Sequence, residues 1–473
     1  MKMAELVFIP FPAMGHVVPA VQTAKLLVEF DNRVSTTVLL MKPAIDSSTI
    51  KYTESLAAST LPDRMRFIEL PSLDELGSRK GVWLDSLIEG QKPRVKEFVS
   101  KIVSKSELSP DSPRLAGFVF DAFCTGMKDL AGEFGVPWYV FSSSGAAFLG
   151  CLLYLQALHD EQNVDITEFK NSDAMLEIPS FVNPMAARLL PSMTFRKDSV
   201  LVLVGVARRL REASGIVVNT FTELESHAVN SFSKIGTPRL YPVGPIVNVA
   251  SDKSNDNREI MEWLDDQPPL SVVFLCFGSL GSFCVDQVKE IAYALEHSGK
   301  RFLWVLRKPS KGQMESASDF QRTLPEGFLD RTTELGKVIG WAPQAEILAH
   351  RAIGGFVSHC GWNSILESIY FGVPIAAWPI YAEQQFNAFQ LVTELGLGGE
   401  IKIDYIERSN SDGYEIVSAD TIKKGIEGLM EDDNEIRKRV KNMSQVSKQA
   451  LTAGGSSHSS LGRLIADVMS NIP

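Results

Sequence analysis

Cysteine is scarce in this chain: five residues in 473, namely Cys124, Cys151, Cys276, Cys284 and Cys360. They are odd in number and far apart, and no Cys-x-x-Cys occurs. Neither a disulfide framework nor a zinc ribbon is expected, and a reducing, cytoplasmic setting is. Cations are also in the minority: Lys plus Arg number 47 against 57 for Asp plus Glu, a formal net charge of −10. Such a balance lacks the cationic footprint of a nucleic-acid binder and of a basic membrane-surface anchor. No Gly-x-Gly-x-x-Gly occurs, which counts against a nicotinamide or flavin oxidoreductase. No Gly-x-Ser-x-Gly occurs, which counts against an α/β hydrolase. The apolar part of residues 1–16 is too short and proline-rich for a secretory signal. The uncharged stretch between Glu133 and His159 could cross a bilayer by length. It is broken by Gly135, Pro137, Ser142-Ser143-Ser144, Gly145 and Gln156, so it reads as a buried strand, a turn and an apolar helix, and no membrane span is expected.

What is present is ordinary for a globular protein, with 45% hydrophobic and 22% charged residues. The length suggests two or three domains. Short apolar runs alternate with helix-like segments: Leu6–Phe11, Thr36–Met41, Phe67–Leu70, Leu115–Asp121, Val136–Phe141 and Ile216–Phe221 read as strands. The spacing of Val17, Val21, Ala24, Leu27 and Val28 predicts a helix after the first. Cys124–Phe134, Ala146–Leu158 and Val200–Ala213 read as helices, and Lys51–Gly90 and Lys170–Lys197 as irregular. A polar, breaker-rich linker is expected over 246–258. A second series follows, with strands Val272–Phe277, Phe302–Leu306, Val338–Trp341, Gly355–Val357 and Val373–Trp378. Pro309–Thr323 and Ile403–Tyr414 read as surface loops. This alternation predicts an α/β protein of two doubly wound, Rossmann-like domains facing across a cleft, 1–245 and 259–456.

In open parallel sheets, ligands bind beyond the carboxyl ends of the strands. The unusual polar residues fall there. His16 follows the first strand, Asp121 ends the fourth and Ser143 follows the fifth. In the second half Ser279 ends the first strand, and Trp341-Ala342-Pro343-Gln344, Ser358–Ser364 and Tyr381–Gln384 follow the third, fourth and fifth. Each has a plainer reading: His16 as a hydrogen-bonded loop residue, Asp121 as a helix cap. Cys360 beside His359 is not read as a nucleophile pair, because adjacent side chains rarely hydrogen-bond productively.

The segment Trp341–Gln384 is different in kind. Its 44 residues run from Trp-Ala-Pro-Gln through Ser-His-Cys-Gly-Trp-Asn-Ser to Tyr-Ala-Glu-Gln. It strongly resembles, without a gap, the signature box of plant UDP-dependent glycosyltransferases of small-molecule metabolism. The opening strand with Gly15-His16, the Phe-Gly-Ser at 277–279 and the total length extend the resemblance to the whole chain. It implies a GT-B fold, with an acceptor on the first domain, UDP-sugar on the second, and a last helix near 457–473 crossing back.

The resemblance also implies residue roles, and each is chemically apt. Trp341 offers a flat face on which uracil stacks, and the Ala342 backbone meets the uracil edge. Gln344 and Glu367 hold the ribose hydroxyls. His359, Asn363, Ser364 and Ser279 donate to the diphosphate, with free N–H groups at a helix start. Glu383 and Gln384 meet the sugar, with the backbone around Trp362, and Gly15 and Ser143 face it from the first half. No Asp-x-Asp is present, so no metal cofactor is expected. His16 matches the family's general base and Asp121 its partner, giving inversion at the anomeric carbon. Gln384 and Trp362 match residues the family associates with UDP-glucose. An apolar hydroxylated acceptor such as a flavonoid, phenolic, lignan or terpenoid is expected against Met14, Phe123, Phe148, Leu189 and Tyr381, with Phe11, Trp83 and Phe141 as further candidates. The expected protein is a monomer binding neither nucleic acid nor membrane. A non-hydrolysing UDP-sugar epimerase and a non-catalytic UDP-sugar-binding protein are the alternatives.

Overall fold

Strands with helices on both sides bury both faces and need continuous apolar runs rather than alternation. The chain has such runs: Val272–Cys276 is buried at all five positions and Ala4–Ile9 at all six. Glu5, the polar exception, is compensated by the Ser35 and Thr37 hydroxyls, both donating at 2.6 Å, and by Arg66 at 3.0 Å. A computed structural model describes residues 3–42, 47–58, 62–72, 83–109, 112–234, 236–248, 255–307, 320–405 and 415–472.

Among the described residues two large sheets form. The first holds β1 (Ala4–Ile9), β2 (Val34–Leu40), β3 (Met65–Glu69), β4 (Arg114–Asp121), β5 (Trp138–Ser142), β6 (Gly215–Val218) and β7 (Leu240–Pro242). Its order is β3-β2-β1-β4-β5-β6-β7, parallel throughout. The second holds β8 (Val272–Cys276), β9 (Arg301–Val305), β10 (Gly336–Ile339), β11 (Ile353–Ser358), β12 (Ile375–Ala377) and β13 (Gly398–Glu400). Its order, β10-β9-β8-β11-β12-β13, repeats the same 3-2-1-4-5-6 pattern, again all parallel. In each sheet the strand order reverses between the first and fourth strands. The crevice at that reversal is where doubly wound sheets bind ligands.

The helix Met14–Phe30 buries Val17, Val21, Ala24, Leu27 and Val28, the stripe its spacing predicts. Other expectations are corrected. Lys51–Gly90 is largely regular where described: it carries much of the helix Ser47–Ala58, all of β3 and the start of the helix Trp83–Leu108. That last helix hides its period because Gln91, fully buried, interrupts the apolar stripe of Leu87, Val95, Val99 and Ile102. Its amide donates to Lys42 O and Pro71 O at 2.9 and 3.2 Å. Cys124–Phe134 is split into a 3₁₀ turn, Ala122–Met127, and a short helix, Asp129–Phe134. The helix Asn255–Asp265 begins inside the expected linker, because its apolar positions come late: Ile260 and Leu264 are buried in the core, and Met261 and Trp263 pack against it. Most of the loops expected at Pro309–Thr323 and Ile403–Tyr414 lies outside the described residues.

The helix Ser456–Ser470 packs on the first sheet. Leu461, Leu464, Ile465 and Val468 share a core with β1 and the helix Met14–Phe30. Asp467 ties it down, pairing with Arg239 at 2.9 Å and with the Tyr241 hydroxyl. The stretch Glu133–His159 resolves into β5 and most of the helix Ala146–Gln162. Among the described residues no helix is long and apolar enough to cross a membrane.

Candidate active site

The reversal point of the first sheet carries two ionisable groups. His16 stands in the first turn after β1 and Asp121 is the last residue of β4. His16 Nδ1 lies 2.9 Å from Asp121 Oδ2. The other oxygen, Oδ1, accepts from the Phe123 N–H at 2.9 Å and caps the 3₁₀ turn. Asp121 is therefore both a cap and a histidine partner, one oxygen for each. Facing a carboxylate that only accepts, Nδ1 carries the proton, and Nε2 is left with a free lone pair. Ser143 Oγ approaches the same Nδ1 at 3.3 Å. Burial lowers the His16 pKa, but the charge of Asp121, its hydrogen bond and the more distant charge of Glu383 together raise it above the ordinary value. Asp121 is 1% exposed while the His16 side chain keeps 23%, so the carboxylate is locked and the imidazole can be reached.

The second sheet presents a neutral, donor-rich counterpart. His359 follows β11 and is packed between two glycines: a Cβ on Gly278 or Gly361 would lie 2.6 Å from its Nε2. Burial takes its pKa down to about 4. Gly361 then caps the helix Trp362–Phe371, whose first-turn N–H groups are open to an anion. Gln344 donates to Ser364 Oγ at 2.9 Å and to Glu367 Oε2 at 2.7 Å, so these three form one polar cluster. Burial raises Glu367 to about 7 against the Gln344 hydrogen bond. Trp341 is 38% exposed, unusual for an indole and unlike a core residue. Ser279 is half-buried, and its carbonyl accepts from Arg307 at 2.6 Å. Positive φ values cluster in these loops: Gly278 at 77°, Cys360 at 61° and Ala382 at 59°. Such strain in non-glycine residues is characteristic of functional loops.

The two edges meet. Asn363 Nδ2 donates to Gly15 O at 2.9 Å, tying the donor-rich helix start to the residue beside His16. Trp362 is 3% exposed and its Nε1 donates to Asn219 O at 2.7 Å. Ser192 N donates to Ala382 O at 2.8 Å. Gln384 is 3% exposed, its Oε1 accepting from the N–H groups of Ile380 and Tyr381. Among the sequence candidates, then, His16, Asp121, Ser143, Gly15 and Asn363 are linked by direct contacts, and Gln344, Ser364 and Glu367 form a second set.

A family model described as "UDP-glucoronosyl and UDP-glucosyl transferase" matches residues 154–423. A Fragaria ananassa protein named UDP-glucose flavonoid 3-O-glucosyltransferase 6 is 53% identical over 99% of this chain and 100% of its own. Anthocyanidin 3-O-glucosyltransferase 1 of Manihot esculenta is 54% identical over 96% of this chain and 100% of its own. Among solved structures, a Medicago truncatula UGT complexed with UDP-glucose matches at TM-score 0.85 and 38% identity, covering 98% of each chain. A UGT transferase from Siraitia grosvenorii in complex with UDP matches at 0.84 and 46%, covering 98% of this chain and 100% of that one. The chain belongs to the UDP-glucuronosyl and UDP-glucosyl transferase family.

As a UDP-glycosyltransferase of GT-B fold, it binds a UDP-sugar. The surroundings of His16 in this glycosyltransferase are aromatic. Phe11 and Phe123 bracket His16, with ring centroids 5.3 and 5.6 Å away. Met14 and Tyr381 are half-buried. Phe148 and Leu189 are 8% and 5% exposed and sit in the hydrophobic core between the helices Ala146–Gln162 and Lys197–Leu210. Phe141 is 1% exposed within the core shared with the helix Ser456–Ser470. The Trp83 side chain lies outside the described residues. Three buried polar residues at the seam escaped sequence reasoning: Asn219, Glu225 and Gln390. The available signal was their position, Asn219 just past the end of β6 on the same sheet edge that carries His16 and Asp121.

Proposed function

We propose that this UDP-glycosyltransferase transfers glucose from UDP-glucose to a hydroxyl of a flavonoid acceptor, inverting the anomeric centre, with His16 as general base. The observation that carries the reading is the His16–Asp121 contact at 2.9 Å, which leaves Nε2 as the basic nitrogen, while the neighbouring Gly15 carbonyl is bonded to Asn363 at the donor-rich helix start. The names of the relatives support glucose as the sugar and a flavonoid as the acceptor.

The uracil stacks on Trp341, its edge on the Ala342 backbone, and Gln344 with Glu367 takes the ribose. The diphosphate lies at the start of the helix Trp362–Phe371, with His359, Ser364 and Ser279 as donors. His359, neutral at pH 7, donates as a hydrogen-bond group rather than a cation. Glu383 and Gln384 face the sugar. Phe11, Met14, Phe123 and Tyr381 hold the flat acceptor. The acceptor hydroxyl gives its proton to His16 Nε2 as its oxygen bonds to the anomeric carbon, and the bond from that carbon to the UDP oxygen breaks. Asp121 stabilises the imidazolium. The helix N–H groups receive the charge that grows on UDP. In this reading residues 1–245 bind the acceptor and 259–456 the donor, in a cytoplasmic monomer that needs no metal.

Incubation with UDP-glucose and a panel of flavonols, anthocyanidins and simple phenols, read by product mass spectrometry, tests this. A mono-hexoside with stoichiometric UDP is the expected result. Conversion of UDP-glucose to an isomeric UDP-sugar without any acceptor would favour an epimerase, and binding without turnover a sensor.

A further inference from the structure

Glu225 is a carboxylate that the proposed mechanism leaves unused, and it is 3% exposed. It lies just before the helix Ser226–Lys234 in the first half. Its Oε2 accepts from Ala146 N–H at 2.8 Å and its Oε1 from Ala147 N–H at 2.9 Å, the opening of the helix Ala146–Gln162. Oε1 also accepts from Gln390 Nε2 at 2.7 Å, across the seam. Gln390 begins a π-helical turn, Gln390–Glu394, that continues the helix Gln384–Phe389. Such turns re-aim side chains and concentrate at functional sites. Here the turn points two groups at the first half, because Glu394 accepts from the Val182 and Asn183 N–H groups at 2.9 and 2.8 Å.

The two strips held by Glu225 are those that carry the chemistry. Ser142–Gly145 leads directly into its two N–H donors and bears Ser143, 3.3 Å from His16. The helix Gln384–Phe389, continuous with Gln390, begins at the sugar-facing Glu383 and Gln384. Packing leaves no slack: a Cβ on Gly145 would lie 2.8 Å from both Glu225 and Trp362. We infer that Glu225 is a positioning residue, setting the register between the His16–Ser143 edge and the sugar-binding edge through Gln390. This rests on the functional reading above.

Loss of register should harm transfer more than donor binding. A misplaced acceptor lets water attack the anomeric carbon instead: the carbon–oxygen bond to UDP breaks, a bond to water oxygen forms, and glucose and UDP are released. The readout is glucoside formed per UDP released, for wild type, Glu225→Gln and Gln390→Leu, with UDP affinity by calorimetry. Gln390→Leu leaves the carboxylate on its two N–H groups and removes only the bond across the seam. Transfer is expected to fall by about 10²-fold in Glu225→Gln, as small misplacements do, and less in Gln390→Leu. The glucoside-to-UDP ratio should fall in both while the UDP dissociation constant stays within about twofold. A merely structural residue would lower thermal stability and the active fraction but leave that ratio at its wild-type value. An unchanged ratio in both variants overturns the inference, and if Glu225→Gln does not fold, Gln390→Leu decides alone. The wild-type glucoside yield, measured alongside, tests the functional reading separately.

Discussion

Two histidines occupy the two sheet-reversal crevices, and their surroundings make them opposites. His16 has a carboxylate at 2.9 Å and a second one within electrostatic reach, so its proton affinity is raised. His359 is clamped between Gly278 and Gly361 with burial as its main influence, and its pKa is about 4. The same side chain on the same strand pattern holds a proton more tightly than usual in one half and less tightly in the other. Neighbouring charge and solvent access decide which, not the position in the fold.

Removing the histidine paired with a carboxylate should have the largest effect. His16→Ala is expected to lower kcat on weakly acidic phenols by about 10³-fold, within the range for loss of a general base. UDP affinity should be retained, and near-wild-type turnover would break the contrast. Asp121→Asn sharpens it. Activity should drop by about 10²-fold through loss of imidazole orientation. Because Asp121 raises the His16 pKa and the base works when neutral, wild-type kcat/KM should fall on the acid side of a pKa above 6.5. In Asp121→Asn that limb should move to lower pH, and a pH–rate profile with no movement would reduce Asp121 to a cap.

The neutral half is tested through binding. Trp341→Ala should weaken UDP by about 1–3 kcal/mol, the scale of base-on-aromatic stacking, while leaving the acid limb in place. An unchanged calorimetric affinity would remove the tryptophan from the nucleotide site. The smallest effect concerns stability. The folded His359 pKa lies below 6.5, so the unfolded chain binds more protons there and stability is lost as pH falls from 6.5 toward 4. His16 has the opposite sign: its contribution is fully present below its unfolded pKa and is lost as pH rises through the raised folded value. His359→Asn should therefore flatten the acid-side fall of Tm, by roughly 2–4 °C. A slope identical to wild type would mean that His359 does not carry it.

The parts of the site that were legible lie at strand ends or within one unbroken segment. His16, Asp121 and Trp341–Gln384 are of this kind: a chemically loaded residue directly after an apolar run announces itself. Glu225 and Gln390 lie 165 positions apart, and Trp362 donates to a carbonyl 143 positions away. Neither pairing leaves a periodic trace. Trp362 and Gln384 show the same limit. Both stand in the signature segment, yet the Trp362 indole is committed to Asn219 and the Gln384 amide oxygen to its own loop. The helix Trp83–Leu108 escaped for a related reason, since a buried glutamine occupies a place where the stripe called for an apolar residue.

The alternation of strands and helices, the two repeated units and the residue types at the strand ends could be read from the chain alone, because these follow from local periodicity and from side-chain chemistry. The proton affinity of each histidine, the double duty of Asp121 and the set of bonds across the seam came from the folded arrangement. Desolvation and proximity are properties of the folded assembly, and residues distant in the chain acquire them only when the two sheets are brought edge to edge.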